Sequence, residues 1–199
     1  MRKNVISSLK DICTEQRGVN PKTLEATIVL AIEIAREGRE GKKVGALFVV
    51  SDSERTMQKS RCMILDPLLH HSEETKHIEN ADLRETIKEL AQLDGAFIVS
   101  DSGIVLSACR YINASSEHIQ LPMGLGSRHM AAASITRQTD AVAVVVSESS
   151  VVRVFDNGEI IVEILPELWL LSNFNLHLAG PYTRLNDHEM SIFTKRSMQ

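Results

Sequence analysis

The sequence predicts a single α/β domain, with a mixed, mostly central β-sheet flanked by helices and two further helices at the N-terminus. Three observations carry this. Stretches with apolar residues at helical spacing alternate with short apolar runs rich in Val and Ile, the composition of strands. Two tight-turn signatures, Asp101-Ser102-Gly103 and Asp156-Asn157-Gly158, each separate two such runs. No internal repeat or low-complexity linker interrupts the 199 residues, a length that suits one domain with a substantial core.

Residues 2–16 place Val5, Leu9 and Ile12 on one helical face, and Gly18 offers a stop. Asn20-Pro21 offers a new start, a capping side chain followed by proline at the first helical position. Ile28, Ala31, Ile32 and Ala35 form the next stripe, which Gly38 ends. These two helices either pack on the core or control how copies of the chain meet. The run "VGALFVV" (44–50) reads as a buried strand, and residues 51–79 as a polar loop with short pieces of structure. Residues 80–93 form a helix with Leu83, Ile87, Leu90 and Ala91 on one face. Residues 94–112 form a hairpin, residues 113–124 a loop, and "LGSRHMAAASIT" (125–136) opens a further helix. Strands follow at 141–147, 151–155 and 159–164. Beyond Leu165 the chain lacks a clean period, and "AGPYTRLNDHE" suggests loop around a short helix. The expected organisation is an N-terminal helical segment at 1–40, a main domain at 41–165 and a C-terminal extension at 166–199.

Composition excludes several classes of function. A formal net charge of −4 argues against a broadly basic nucleic-acid surface, and 4% aromatic residues leave little for base-stacking platforms. No nucleic-acid partner is expected. Cys13, Cys62 and Cys109 form no CxxC pair, which fits free thiols in a reducing compartment. The N-terminus lacks a long apolar region, and runs such as "AVAVVV" (141–146) fall far short of the ~20 residues of a membrane helix. No membrane partner and a cytoplasmic location are expected.

Chemistry concentrates at a few places. Asp94-Gly95 lies where a helix ends and a strand begins, so it is either a plain turn or an acid beside backbone that a ligand can approach closely. Gly124, Gly126 and Ser127 precede Arg128 and His129 at a helix start. A cation there is disfavoured by the helix dipole by roughly 0.3–1 kcal/mol. It makes sense if a phosphate chain sits between the cation and the helix N–H groups. The alternative is an exposed Arg-His pair with no ligand. Neither a Walker loop nor a dinucleotide fingerprint is present. His70, His71 and His77 invite a zinc reading, but no cysteine or second acidic cluster has the spacing of a cage. Glu148 ends a strand, where an acid is either solvated or able to hold a divalent ion beside phosphates.

The order of these features is more specific than any one of them. "TIKELAQLDGAFIVSDSGIVLSACRYI", then "LGSRHMAAASIT" and "DAVAVVVSES", resembles the diadenylate cyclase domain over about residues 44–164. The family's DGA motif is intact as Asp94-Gly95-Ala96. Its RHR motif is kept as Arg128 and His129, with Met130 at the third position. The resemblance implies that two ATP are condensed into cyclic di-AMP and two pyrophosphates, each 3′-hydroxyl attacking the other molecule's α-phosphate. It implies a homo-oligomer whose active sites face each other across a subunit interface. It implies catalytic roles for Asp94, Arg128 and His129 and nucleotide contacts from Gly95, Ala96, Gly126, Ser127, Arg128 and His129. It further implies Mg²⁺ or Mn²⁺ held by Asp94 with the strand-end Glu148.

Two positions depart from the pattern. Met130 removes a cation from the phosphate grip unless Arg137 or another basic residue compensates. Ser149 replaces the second strand-end acid and leaves Glu148 alone. The alternative reading is therefore a catalytically weakened adenine-nucleotide-binding or sensor module of the same fold. A purely structural domain would bind no nucleotide at all.

Overall fold

The structure is a computed structural model and describes residues 9, 11–113, 115, 117, 119–166, 180–187 and 190–194. One nine-stranded sheet runs through them. Its strands are β1 (Ala46–Val50), β2 (Ser60–Cys62), β3 (Ala96–Val99), β4 (Val105–Ile112), β5 (Val142–Val146), β6 (Val152–Asp156), β7 (Glu159–Leu165), β8 (Thr183–Asp187) and β9 (Met190–Thr194). Their spatial order is β2-β4-β3-β1-β5-β6-β7-β9-β8. Only β1 and β3 run parallel; every other pair is antiparallel, so the sheet is mixed as expected.

Four described α-helices accompany the sheet: α1 (Pro21–Glu37), α2 (Ser53–Gln58), α3 (Ala81–Leu90) and α4 (Ser127–Gln138). Strand alternation explains the layers. Phe48 and Val50 of β1 and Val142, Val144 and Val146 of β5 join Leu24, Ile28, Ala31, Leu83 and Ile87 in one core, beneath α1 and α3. Leu47, Val49, Ala143 and Val145 point the other way and pack with Ala132, Ala133 and Ile135 of α4. The small residues of α4 let it lie close to the sheet.

Local signals in the sequence act as expected. Asn20 caps α1 by accepting a hydrogen bond from the Lys22 N–H, and the Gly38 N–H closes the helix on the Ile34 carbonyl. Asn80 caps α3 in the same way. Asn157 and Gly158 both adopt positive φ, +48° and +82°, the conformation of a two-residue hairpin turn.

Two expectations are corrected. The helix expected over 2–16 lies partly outside the described residues, and within them it does not reach residue 16: residues 11–13 turn, and Glu15–Arg17 form a 3₁₀ turn. The Arg17 Nε–H takes the Ile12 carbonyl at 2.6 Å, where helix continuation would need a backbone N–H. The tail is not loop around a short helix. Its described residues form β8 and β9, and β9 pairs with β7 from Val162↔Thr194 to Leu165↔Ser191. The apolar residues of Met190–Thr194, a short run rich in strand formers, pair with the open edge of β7, and Ile192 is buried in the core under α1, a tertiary placement that the surrounding polar residues hide from a local reading.

Candidate functional site

Because β1 and β3 are parallel, their N-terminal ends lie side by side, and the antiparallel β5 delivers its C-terminal end to the same edge (Ala46↔Val146, Phe48↔Phe97). Asp94 and Gly95 precede β3, Gly45 precedes β1, and Glu148 follows β5. The start of α4 brings Arg128 to this edge. The guanidinium lies between two carboxylates, with Nη2 3.5 Å from Asp94 Oδ1 and Nη1 3.7 Å from Glu148 Oε1. Three candidates from distant parts of the sequence thus meet at one place.

The strength of these pairs matters. Asp94 and Glu148 side chains are 86% and 74% exposed and Arg128 is 29% exposed. Long, wet ion pairs of this kind contribute about 0–1 kcal/mol. That is enough to offset the roughly 0.3–1 kcal/mol cost of a cation at a helix N-terminus, yet weak enough to be exchanged for a phosphate. In the free protein, then, two carboxylates make Arg128 tolerable, and no bound polyanion is needed for that. Gly126 caps α4 without a side-chain hydrogen bond, and the first turn carries no acid. The Arg128 cation and the helix end are therefore the local positive features beside the two carboxylates.

The remaining candidates separate. Ser127 is exposed at the first helical position. Gly126 has φ −82°, an ordinary backbone, with nothing within 4 Å of a Cβ placed on it, so it leaves open space at the helix start. Ala96 is buried, its methyl part of the α4-side core. Gly95 is required for packing: at φ +108°, a Cβ there would lie 2.5 Å from the Cys109 carbonyl carbon and 2.7 Å from Arg110 N. Cys109 itself has φ +53°, within the irregular β3–β4 pairing. His129 is turned inward, 6% exposed, with Nε2 3.1 Å from Arg153 Nη1. The structure does not bring its ring to Asp94 and Glu148.

Gly45, which sequence reasoning missed, lies against Arg128 in the candidate site. A Cβ there would stand 3.0 Å from Arg128 Nη1 and 3.3 Å from Cζ. The signal was a glycine just before an apolar strand, which by itself marks only a strand start. Arg137 does not replace the missing cation at Met130. It lies in the last turn of α4, about 13 Å along the helix from Arg128, and donates to Asn157 Oδ1 at 2.8 Å. Ser149 completes a tight turn in which the Ser147 and Ser149 hydroxyls are 2.9 Å apart. Burial first, then the nearby carboxylates of Asp66 and Asp94, push the Cys109 thiol above its ordinary value of 9.0. A cleft of about 950 Å³ lies between α1 and α3 and contains none of these residues. Among the described residues no cluster of three or more His, Cys, Asp or Glu side chains forms a metal cage.

Residues 33–160 match the family model of the DisA bacterial checkpoint controller nucleotide-binding (DAC) domain. The chain belongs to this family. Among relatives of the DAC domain, a diadenylate cyclase of Haloferax volcanii is 41% identical over 172 residues, 85% of this chain and 62% of that protein. A diadenylate cyclase of Methanocaldococcus jannaschii is 45% identical over 151 residues, 75% of this chain and 48% of that protein. The chain thus spans about half to three-fifths of the length of these curated relatives. A solved structure of a hypothetical membrane spanning protein from Bacillus cereus is 28% identical, with a TM-score of 0.49, over 67% of this chain and 59% of that one. Among the described residues of this DAC chain, no helix is long and apolar enough to cross a membrane.

Proposed function

We propose that this DAC chain is a diadenylate cyclase that condenses two ATP into cyclic di-AMP and two pyrophosphates. The observation that carries the reading is Arg128 suspended between Asp94 and Glu148 at the open start of α4. Each ribose 3′-hydroxyl attacks the α-phosphorus of the other ATP. The bond from that phosphorus to the bridging oxygen of the β-phosphate breaks, pyrophosphate leaves, and the hydroxyl proton passes to a carboxylate or to water.

Arg128 and the N–H groups of the first turn of α4 receive the triphosphate and the charge that grows on the leaving pyrophosphate. Arg128 exchanges two wet carboxylate contacts for phosphate oxygens, and charged hydrogen bonds of that kind contribute about 1.5–3 kcal/mol. Release of Arg128 frees Asp94 to orient the 3′-hydroxyl. Gly126 and Ser127 leave open space for the nucleotide at the helix start, and Gly95 and Ala96 contribute backbone beside it. Asp94 and Glu148 offer only carboxylate oxygens, a donor type that would suit Mg²⁺ or Mn²⁺. A divalent ion held there supplies neutralisation of the phosphates and activation of the hydroxyl.

The chemistry needs two ATP head to head, so two copies of the chain face each other with one nucleotide each. Leu93, next to Asp94, and Met123, near the start of α4, are exposed apolar residues that suit burial against a second copy. Incubation with ATP and Mg²⁺ or Mn²⁺, followed by chromatography, tests the reading. Cyclic di-AMP is expected, and Asp94→Asn should lose turnover while still binding ATP. Tight ATP binding without product under either metal would replace the reading with a nucleotide-binding module.

A further inference from the structure

His129 follows Arg128 in the first turn of α4, yet it meets a different part of the molecule. Its Nε2 lies 3.1 Å from Nη1 of Arg153 on β6, and the Arg153 Nε–H donates to Glu163 Oε1 on β7 at 2.5 Å. Arg153 is 2% exposed and Glu163 fully buried. The Phe155 ring stands at 6.1 Å from the His129 ring, tilted by 59°. A guanidinium carries donors only. Across the Arg153 contact, Nε2 must therefore accept, which leaves the proton of a neutral ring on Nδ1.

We propose that Arg153, braced by Glu163, is a positioning residue of the nucleotide site: it holds His129 as the neutral, Nδ1-protonated ring and through that ring fixes the turn of α4 that carries Arg128. The functional consequence rests on the cyclase reading; the tautomer is a property of the folded chain. On this account His129 is neither a general acid nor a cation for phosphate. Its basic nitrogen is occupied from beneath, and its ring is out of solvent.

The fold has a specific device that makes this contact. The β6–β7 hairpin begins in register at Asp156↔Glu159 and Phe155↔Ile160, then shifts by one residue to Val154↔Val162 and Arg153↔Glu163. Without that bulge Arg153 would sit opposite Val162. The shift sets the buried carboxylate opposite the guanidinium on the face that α4 covers. Glu163 then neutralises Arg153, and the guanidinium can reach His129 without leaving an uncompensated charge in the core.

Long-range ¹H–¹⁵N correlation of the histidine rings in the full chain tests the tautomer directly, and an Nδ1–H ring at neutral pH is expected for His129. ATP calorimetry on substituted chains tests the role. His129→Gln, whose amide oxygen can accept from Arg153 in place of Nε2, should keep ATP affinity within about threefold. His129→Phe and Arg153→Met should each weaken ATP by about tenfold or more, since small displacements of positioning groups are costly. Arg153→Met leaves Glu163 buried alone, so the charge-free pair Arg153→Met with Glu163→Met is measured beside it. An Nε2–H or doubly protonated ring in the unaltered chain would overturn the proposal. So would His129→Gln binding as poorly as His129→Phe, or a folded double variant that binds ATP like the unaltered chain. Failure of the unaltered chain to bind ATP would overturn the cyclase reading instead, with the ring spectrum still deciding the tautomer.

Discussion

Gly45→Ala should separate the nucleotide site from the fold. The φ of Gly45 lies outside the left-handed range, so alanine fits its backbone without strain. The new methyl would stand 3.0 Å from Arg128 Nη1, 3.3 Å from Cζ and 3.4 Å from the Val146 carbonyl oxygen. Ordinary contact begins near 3.4 Å, so the backbone oxygen can stay and the guanidinium must retreat by a few tenths of an ångström or more. Nothing in the core has to move. Replacing glycine also removes freedom from the unfolded chain, a stabilising effect of about 0.4–1 kcal/mol. Thermal stability should therefore be unchanged or slightly raised. ATP affinity should fall, with an upper bound set by complete loss of the Arg128 grip, about 1.5–3 kcal/mol. That bound corresponds to a Kd raised by about 10- to 150-fold. Calorimetric titration with ATP and a thermal melt of the same sample measure both. Unaltered ATP affinity, or a melt lowered in step with affinity, would refute Arg128 as the phosphate grip set by Gly45.

Gly95→Ala should do the reverse, because φ +108° and a Cβ 2.5 Å from backbone of β4 strain the fold itself. A loss on the order of 3 kcal/mol should lower the melting temperature by about 6–12 °C for a chain of this size, and a melt within 2 °C (~1 kcal/mol) of the unaltered chain would contradict it. Arg128→Ala should weaken ATP by about 1.5–3 kcal/mol at little cost in stability, since the lost ion pairs contribute about 0–1 kcal/mol and the helix end gains about 0.3–1 kcal/mol. Unchanged calorimetric affinity would remove Arg128 from the site. Acid should release the Glu85 carboxylate from Lys88, one turn on in α3, and from Arg39, just past the end of α1. The hydrogen bond and charge of Lys88 first, then Arg39, hold the Glu85 carboxyl below its ordinary value of 4.5. A depressed carboxyl contributes stability above pH 4.5 and loses it as pH falls through its folded value. Melts taken below pH 4.5 should therefore fall more steeply for the unaltered chain than for Glu85→Gln, and parallel slopes would dismiss the contribution.

The legible parts of the sequence were those where one residue type has one local use. Asn20-Pro21 and Gly38 bounded α1, and Asn157-Gly158 set a hairpin, because capping and positive φ are decided by immediate neighbours. Asp94, Arg128 and Glu148 could be nominated for the same reason: each sits where an element begins or ends. Their meeting was implied by the family resemblance alone and not by any local pattern, since it depends on β1 being parallel to β3 and antiparallel to β5. Not legible either were β8 and β9, where β9 pairs along β7 and β8 along β9, a placement that the polar residues around the short Met190–Thr194 run conceal.

His129 shows the limit most clearly. Sequence places it beside Arg128, and both would suit a phosphate. On a helix, neighbours one residue apart diverge by about 100°, so one of the two had to face elsewhere. Which one is decided by what lies beneath. "VVRVF" and "EIIVEI" each carry a charge within an apolar strand, a costly placement unless the charges meet. An unbroken hairpin from the Asn157-Gly158 turn would have paired Arg153 with Val162 and left both charges without that contact. The one-residue bulge unites them under α4 and gives His129 a donor to face. The direction of a side chain in the proposed active site is thus set by a register shift two strands away from β1, and a periodicity read along one strand at a time has no means of reporting it.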